Sequence, residues 1–273
     1  MAAIVVGCST PVPPAEQIQV SAPNCSPEIF DSIGPLDVAL AIDTSQSTID
    51  PSGFDVDGDG IVGAVIESYY TDIDDSALAA IVKSVNHLLE RSAGHDVRFS
   101  LITFSGRMTP TREPPRRVIM KRDAVIRIPL TGDTAELTAG LDAVLRRGSK
   151  GMSNYFAGMR RATRSLIETT DRERASRRLV LFISDSPTPL LRRVGNVGVF
   201  QMRDTRLQSS AREAIRERVV FNTFALSEDA TAWRMQPIAM IASATGGTYH
   251  AVADASQLYC HLVSSLTRGA NVN

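Results

Sequence analysis

Apolar residues along this chain fall into two kinds of run that alternate. Leu36-Asp37-Val38-Ala39-Leu40-Ala41-Ile42, Val97-Arg98-Phe99-Ser100-Leu101-Ile102-Thr103-Phe104, Leu179-Val180-Leu181-Phe182-Ile183 and residues 219–226 are short, nearly continuous and rich in β-branched or aromatic residues. Such runs mark strands buried on both faces. Residues 125–130 form a weaker strand candidate, and Gly246-Gly247-Thr248-Tyr249-His250-Ala251-Val252 reads as a turn and a short strand. Between these runs the period changes: Leu78, Ile81, Val82, Val85, Leu88 and Leu89 recur at helical spacing, with Ser76 placed to cap. Residues 134–146, 154–169, 206–218, 233–244 and 255–267 read as further helices. Strands alternating with helices predict an α/β fold, a Rossmann-like doubly wound, mainly parallel sheet flanked by helices.

No periodicity extends into residues 1–34, which are rich in Pro and Ser and read as a tail and linker. The domain is expected over 35–268, interrupted at 49–74 by an insertion holding Gly53, Gly58, Gly60, Gly63 and a row of aspartates. With 273 residues, 43% of them hydrophobic and 22% charged, one large α/β domain is the expected organisation. No run approaches the length of a membrane-spanning helix.

The net charge of −1 conceals an uneven distribution. Arg112, Arg116, Arg117, Lys121, Arg122 and Arg127 crowd one stretch, Arg160, Arg161, Arg164, Arg172, Arg174, Arg177 and Arg178 another, and acids dominate 43–75. The arginines lack interleaved aromatics, and several fall at helical spacing beside Glu168, Asp171 and Glu173, so they read as solvated helix faces and not as a nucleic-acid surface.

Val5-Val6-Gly7-Cys8 resembles the cleavage box of bacterial lipoproteins, which makes Cys8 a candidate lipidation site and a lipid anchor the expected contact with a membrane. Only Ala2 to Val6 stand for the apolar core and no base precedes them, so the true start is expected upstream; an incidental cysteine is the other reading. An envelope location would permit a disulfide between Cys25 and Cys260, since domain termini often lie close together. In a reducing compartment the two would be free thiols.

The first strand ends in Asp43-Thr44-Ser45-Gln46-Ser47, which projects oxygen ligands at every second position. Small oxygen-rich clusters suit Mg²⁺ or Mn²⁺ better than Zn²⁺. Two more polar loops, Gly151-Met152-Ser153-Asn154 and Ser184-Asp185-Ser186-Pro187-Thr188, sit where an open sheet gathers its ligands. Here the chain resembles the von Willebrand factor type A (vWA) domain, whose metal-ion-dependent adhesion site combines a DxSxS loop, a hydroxyl from a second loop and an Asp after a later strand. The resemblance covers about 34–268. It implies metal ligation by Asp43, Ser45, Ser47, Ser153 and Asp185, with Ser153 standing where Thr is usual and Ser186 where Gly is usual. It also implies a non-enzymatic module whose Mg²⁺ takes an Asp or Glu carboxylate from a partner protein.

Asp55-Val56-Asp57-Gly58-Asp59-Gly60-Ile61 has the alternation of a calcium loop, with Glu67 one residue beyond the usual bidentate position. It reads as a Ca²⁺-stabilised insertion with candidate ligands Asp55, Asp57, Asp59, Ile61 and Glu67. His87, His95, His250 and His261 lack ligand spacing, and Trp233 reads as a core cap. Two rivals remain. A phosphatase of the haloacid-dehalogenase kind needs a second acid where Ser45 stands, and a scaffold subunit of a chelatase-type ATPase needs a cytosolic location.

Overall fold

The structure is a computed structural model, and it describes Cys25 and residues 27–110, 118–169, 174–185, 205–226 and 236–267. The main strands are β1 (Leu36–Asp43), β4 (Val97–Pro110), β5 (Val118–Thr131), β6 (Arg177–Ser184), β7 (Val219–Leu226) and β8 (Tyr249–Val252). They form one sheet in the order β5-β4-β1-β6-β7-β8, parallel throughout except for β5, which runs antiparallel to β4. Inside the insertion, β2 (Val65–Ile66) and β3 (Tyr69–Tyr70) make a separate small hairpin. The helices are α1 (Ala77–Ser92), α2 (Thr134–Arg147), α3 (Tyr155–Thr169), α4 (Thr205–Arg216), α5 (Gln236–Ala244) and α6 (Leu258–Thr267).

Strand parity decides which helix covers which face. Val38, Leu40 and Ile42 of β1 enter one core with α1, α2 and α6, while Ala39 and Ala41 enter the other with α3, α4 and α5. The small alanines face a stack of larger rings, Phe104 on Phe182 at 4.6 Å and Tyr155 edge-on to Phe182 at 5.6 Å. From β1 the chain moves outward to β4 and β5, then returns to β6 on the other side of β1. The carboxyl ends of β1 and β6 therefore flank the switch point, the place where open α/β sheets bind ligands.

Local signals explain several boundaries. Ser76 accepts from the Ala79 amide at 3.2 Å and starts α1, and Asp133 accepts from Ala135 and Glu136 at 2.9 and 3.1 Å and starts α2. The β4–β5 pair is longer than its sequence pattern. Pairing with β1 ends at Phe104, yet β4 and β5 stay paired to Pro110 and Val118 as a two-stranded ribbon. That outer half includes Arg107, Lys121, Arg122 and Asp123, so no alternation announces it; it is traced by its backbone pairing.

The ribbon corrects one expectation. Lys121, Arg122 and Arg127 lie on β5 and Arg177 and Arg178 on β6, so these are strand residues and not a solvated helix face. Arg160, Arg161 and Arg164 do lie on α3. Cys8, Arg112, Arg116, Arg117, Arg172 and Trp233 lie outside the described residues.

Cys25 and Cys260 are disulfide-bonded, with Cα atoms 4.7 Å apart, which ties the lead-in to α6. His87 stacks on Tyr259 at 4.0 Å, and His250 and His261 pack together in the core with Nδ1 atoms 3.3 Å apart. No described helix is long and apolar enough to cross a membrane.

Candidate metal centre

Two buried aspartates mark the ends of β1 on one face. Asp37 is neutralised: Arg98 donates to it from Nε at 2.9 Å and Nη2 at 3.0 Å, and Ser176 Oγ donates at 2.6 Å. Burial pushes its carboxyl up, but those bonds and the Arg98 charge outweigh burial and hold it below the ordinary carboxylate range. Asp43, six residues on, is equally buried, and among the described residues no base forms an ion pair with it.

Asp43 is held by neutral donors. Its Oδ1 accepts from the Ser45 amide at 2.9 Å and its Oδ2 from Ser184 Oγ at 2.6 Å. Ser184 Oγ is also bonded at 3.1 Å to the hydroxyl of Tyr155, which is fully buried. Burial, opposed by the bonds from Ser184 and Ser45, leaves the Asp43 carboxyl raised. Across the site, burial and then the Asp43 charge push Asp185 up to about 8, and Asp50 adds to the effect.

The remaining ligands converge on this pair from three segments. Ser45 Oγ lies 3.1 Å from Ser47 Oγ and 3.0 Å from Ser153 Oγ, and Ser47 Oγ donates to Asp185 Oδ1 at 3.0 Å. Asp43, Ser45, Ser47, Ser153 and Asp185 thus form one cluster. Backbone bonds hold the loops in register: Gln46 N to Gly151 O at 2.9 Å, Lys150 N to Thr44 O at 2.8 Å and Met152 N to Gly106 O at 2.7 Å. Gly151 has φ 78°, and a Cβ there would stand 2.4 Å from Gly106 O, so this close approach requires glycine.

The donor set is two carboxylates and three hydroxyls, all oxygen, which fits a hard cation. Neighbouring ligands of an octahedral ion bound at about 2.0–2.1 Å stand about 2.9 Å apart. The three oxygen separations of 3.0–3.1 Å are those of hydrogen bonds and leave the oxygens close enough to share one ion.

Sequence reasoning missed Ser184 and Tyr155 as supports. The available signal was parity: Ser184 follows Val180 and Phe182 on the face that α3 covers, where a lone polar residue needs a partner.

The insertion differs from its expected form. Asp55, Asp57 and the buried Asp75 bring carboxylate oxygens within 4.8 Å of one another, as do Asp57, Asp72 and Asp74. Asp75 also accepts from the amides of Val56 and Gly63 and pins both ends of the loop. Glu67 belongs to neither group. It sits with Ser68 in the β2–β3 turn, at φ 49° and 75°, because that hairpin occupies the place where a calcium loop would deliver its last ligand. Asp59 likewise lies outside both groups, its Oδ1 accepting from the Ile61 amide at 2.7 Å.

No protein-family model matches the chain, and no curated protein matches its sequence. Solved structures match its fold. An aerotolerance-related membrane protein from Bacteroides fragilis superposes with a TM-score of 0.55 at 13% identity, over 85% of this chain and 98% of that one. The PilB minor pilin of Streptococcus sanguinis gives 0.53 at 13% identity, over 86% of this chain and 62% of the pilin. The pilus adhesin SpaC of Lactobacillus rhamnosus GG gives 0.53 at 14% identity, over 87% of this chain and 30% of the adhesin. At these identities the likeness is one of fold.

Proposed function

We propose that this chain is a vWA-type, non-enzymatic binding module, displayed outside the cytoplasm, that uses Mg²⁺ or Mn²⁺ to hold an acidic residue of a partner protein. The observation that carries this reading is the pair Asp43 and Asp185, both raised by burial and Asp185 also by the Asp43 charge, within hydrogen-bonding reach of three serine hydroxyls and with no base to balance them among the described residues. Ser45, Ser47 and Ser153 would offer neutral oxygens, with Asp43 and Asp185 acting partly through bound waters. A metal so held keeps much of its positive charge and draws an anionic ligand to its free position. The envelope location rests on the lipoprotein-like Cys8 and on the Cys25–Cys260 bond, a linkage that persists in oxidising compartments. A partner carboxylate, not a nucleic acid, is the ligand this charge pattern suits.

Calcium in the insertion is part of the same reading, with Asp75 taking the place expected of Glu67 beside Asp55 and Asp57.

The test measures melting temperature and Mn²⁺ binding in the wild type and in Asp43→Ala, then capture of envelope proteins in Mg²⁺ against chelator. Mg²⁺ and Mn²⁺ are expected to raise the wild-type melting point and to support capture, and Asp43→Ala to abolish both. Unchanged metal binding and unchanged metal-dependent capture in Asp43→Ala would overturn the reading.

A further inference from the structure

Seven of the nine large apolar side chains that stand exposed among the described residues fall within residues 61–73. Single exposed apolar residues are ordinary, but this concentration in one insertion marks a contact surface. Its centre is the β2–β3 hairpin. Ile66 pairs directly with Tyr69, so both side chains leave on one face, 59% and 77% exposed. Glu67, in the turn between them, belongs to neither acidic group of the insertion and makes no ion pair among the described residues. From Thr44 to Val82 the chain holds eight acids and no Lys, Arg or His. Whatever receives this hairpin must therefore be apolar and basic together.

The same fold carries one such surface. β5 is the edge strand of the main sheet, and between it and α2 runs a groove of about 300 Å³. Val125, Ile126, Ile128 and Val144 give the groove an apolar lining, and its charged residues are Arg127 and Arg147. Arg127 is steadied by donating from Nε to Thr103 Oγ1 at 2.9 Å. Arg147, exposed at the end of α2, makes no ion pair among the described residues. The edge itself does not invite another strand, because Pro129 has no N–H to offer and the β4–β5 register shifts at Phe99/Leu101 and Leu101/Ile102. The groove suits side chains instead. The hairpin of the same chain does not fill it, since Ile66 and Tyr69 stand in solvent.

We propose that the β2–β3 hairpin of one copy inserts Ile66 and Tyr69 into the β5–α2 groove of a second copy, with Glu67 meeting Arg147. Hairpin and groove are different surfaces, so the contact is head-to-tail and leaves one of each free on a dimer. Assembly then continues beyond two copies, as a ring if the rotation closes and as a chain if it does not. The inference is independent of the metal centre, which contributes no residue to either surface.

Sedimentation velocity on the full chain with the disulfide intact tests this, in chelator and again in Ca²⁺. At low salt the wild-type mean mass is expected to rise with concentration, and at high salt association should weaken about tenfold as the charges are screened. Ile66→Ser with Tyr69→Ser removes the hairpin face, and Ala143→Glu with Arg147→Glu fills the groove and inverts its charge. Each variant alone is expected to be monomeric, whereas an equimolar mixture forms a one-to-one dimer that grows no further, since one intact surface of each kind remains. Glu67→Arg and Arg147→Glu, both at exposed positions, are each expected to lose association, and the chain carrying both to regain it. Circular dichroism melts close to that of the wild type establish that the variants fold, and these two single substitutions serve as milder forms. A wild type that stays monomeric at every concentration in low salt, with and without Ca²⁺, overturns the proposal and leaves hairpin and groove to separate partners. Variants that still assemble, or a mixture that fails to complement, overturn it as well.

Discussion

Asp37 and Asp43 share a strand and a face, yet one meets two arginines and the other meets only hydroxyls and amides. That difference sets the pH behaviour. Asp185, beside Asp43, is pushed up to about 8, while in the unfolded chain its carboxyl titrates near about 4. The folded state therefore binds this proton more tightly, so its contribution to stability is complete below about pH 4 and is lost as pH rises toward about 8. In chelator the melting point is expected to fall between pH 5 and 8. Asp37, lowered instead, finishes titrating below that window and does not offset the fall. Mg²⁺ needs the ionised carboxylates, so the shift it produces should grow with pH over the same range. Asp185→Asn should flatten both trends, and a chelated melting point that climbs from pH 5 to 8 would contradict the assignment. Ser184→Ala deletes the 2.6 Å bond that orients Asp43 and should weaken Mg²⁺ binding about 10- to 100-fold, measured by titration calorimetry, with the fold retained.

Among the elements, the loops after strands carry the site, and their legibility varies with what holds them. Asp43, Ser45 and Ser47 were readable because the DxSxS residues directly follow a strand whose apolar run is unmistakable. Ser153 depends on a loop that the sequence barely announces. Its place is decided by amides and carbonyls of Thr44, Gln46 and Gly106, which have no side-chain signature. Gly151→Ala forces a Cβ against the Gly106 carbonyl at a positive φ, so it should destabilise by about 1–3 kcal/mol in chemical denaturation and displace Ser153 enough to lose the Mg²⁺ response. A variant with wild-type stability would show that the loop is not fixed as described. The β2–β3 hairpin was invisible for a related reason: Glu67 and Ser68 take positive φ without the Asn or Gly that usually advertises such a turn. The outer half of β4–β5 is fixed by backbone pairing out to Pro110 and Val118, which writes no side-chain period.

On the scale of the molecule, the disulfide joins residues 235 apart and closes almost the entire described chain into one loop. Reduction, or Cys260→Ser, is expected to cost about 3–5 kcal/mol through the freedom returned to the unfolded state. For a domain of this size that lowers the melting point by on the order of 10 °C in a thermal scan with reductant. An unchanged melting point would mean that the bond adds nothing to stability. Sequence alone determined the α/β class, the strands and helices of the core and the place of the Asp43–Ser47 loop, because burial on two faces writes continuous apolar runs and burial on one writes a helical period. It also supplied the residues that close the site. Only the tertiary structure decided that β6 lies against β1 and so brings Asp185 to Asp43. The same holds for Asp75, not Glu67, joining Asp55 and Asp57, and for Asp37 gaining arginines that Asp43 lacks. Those are meetings of residues far apart along the chain, and they follow from strand order and backbone pairing, which leave no mark on the local pattern of side chains.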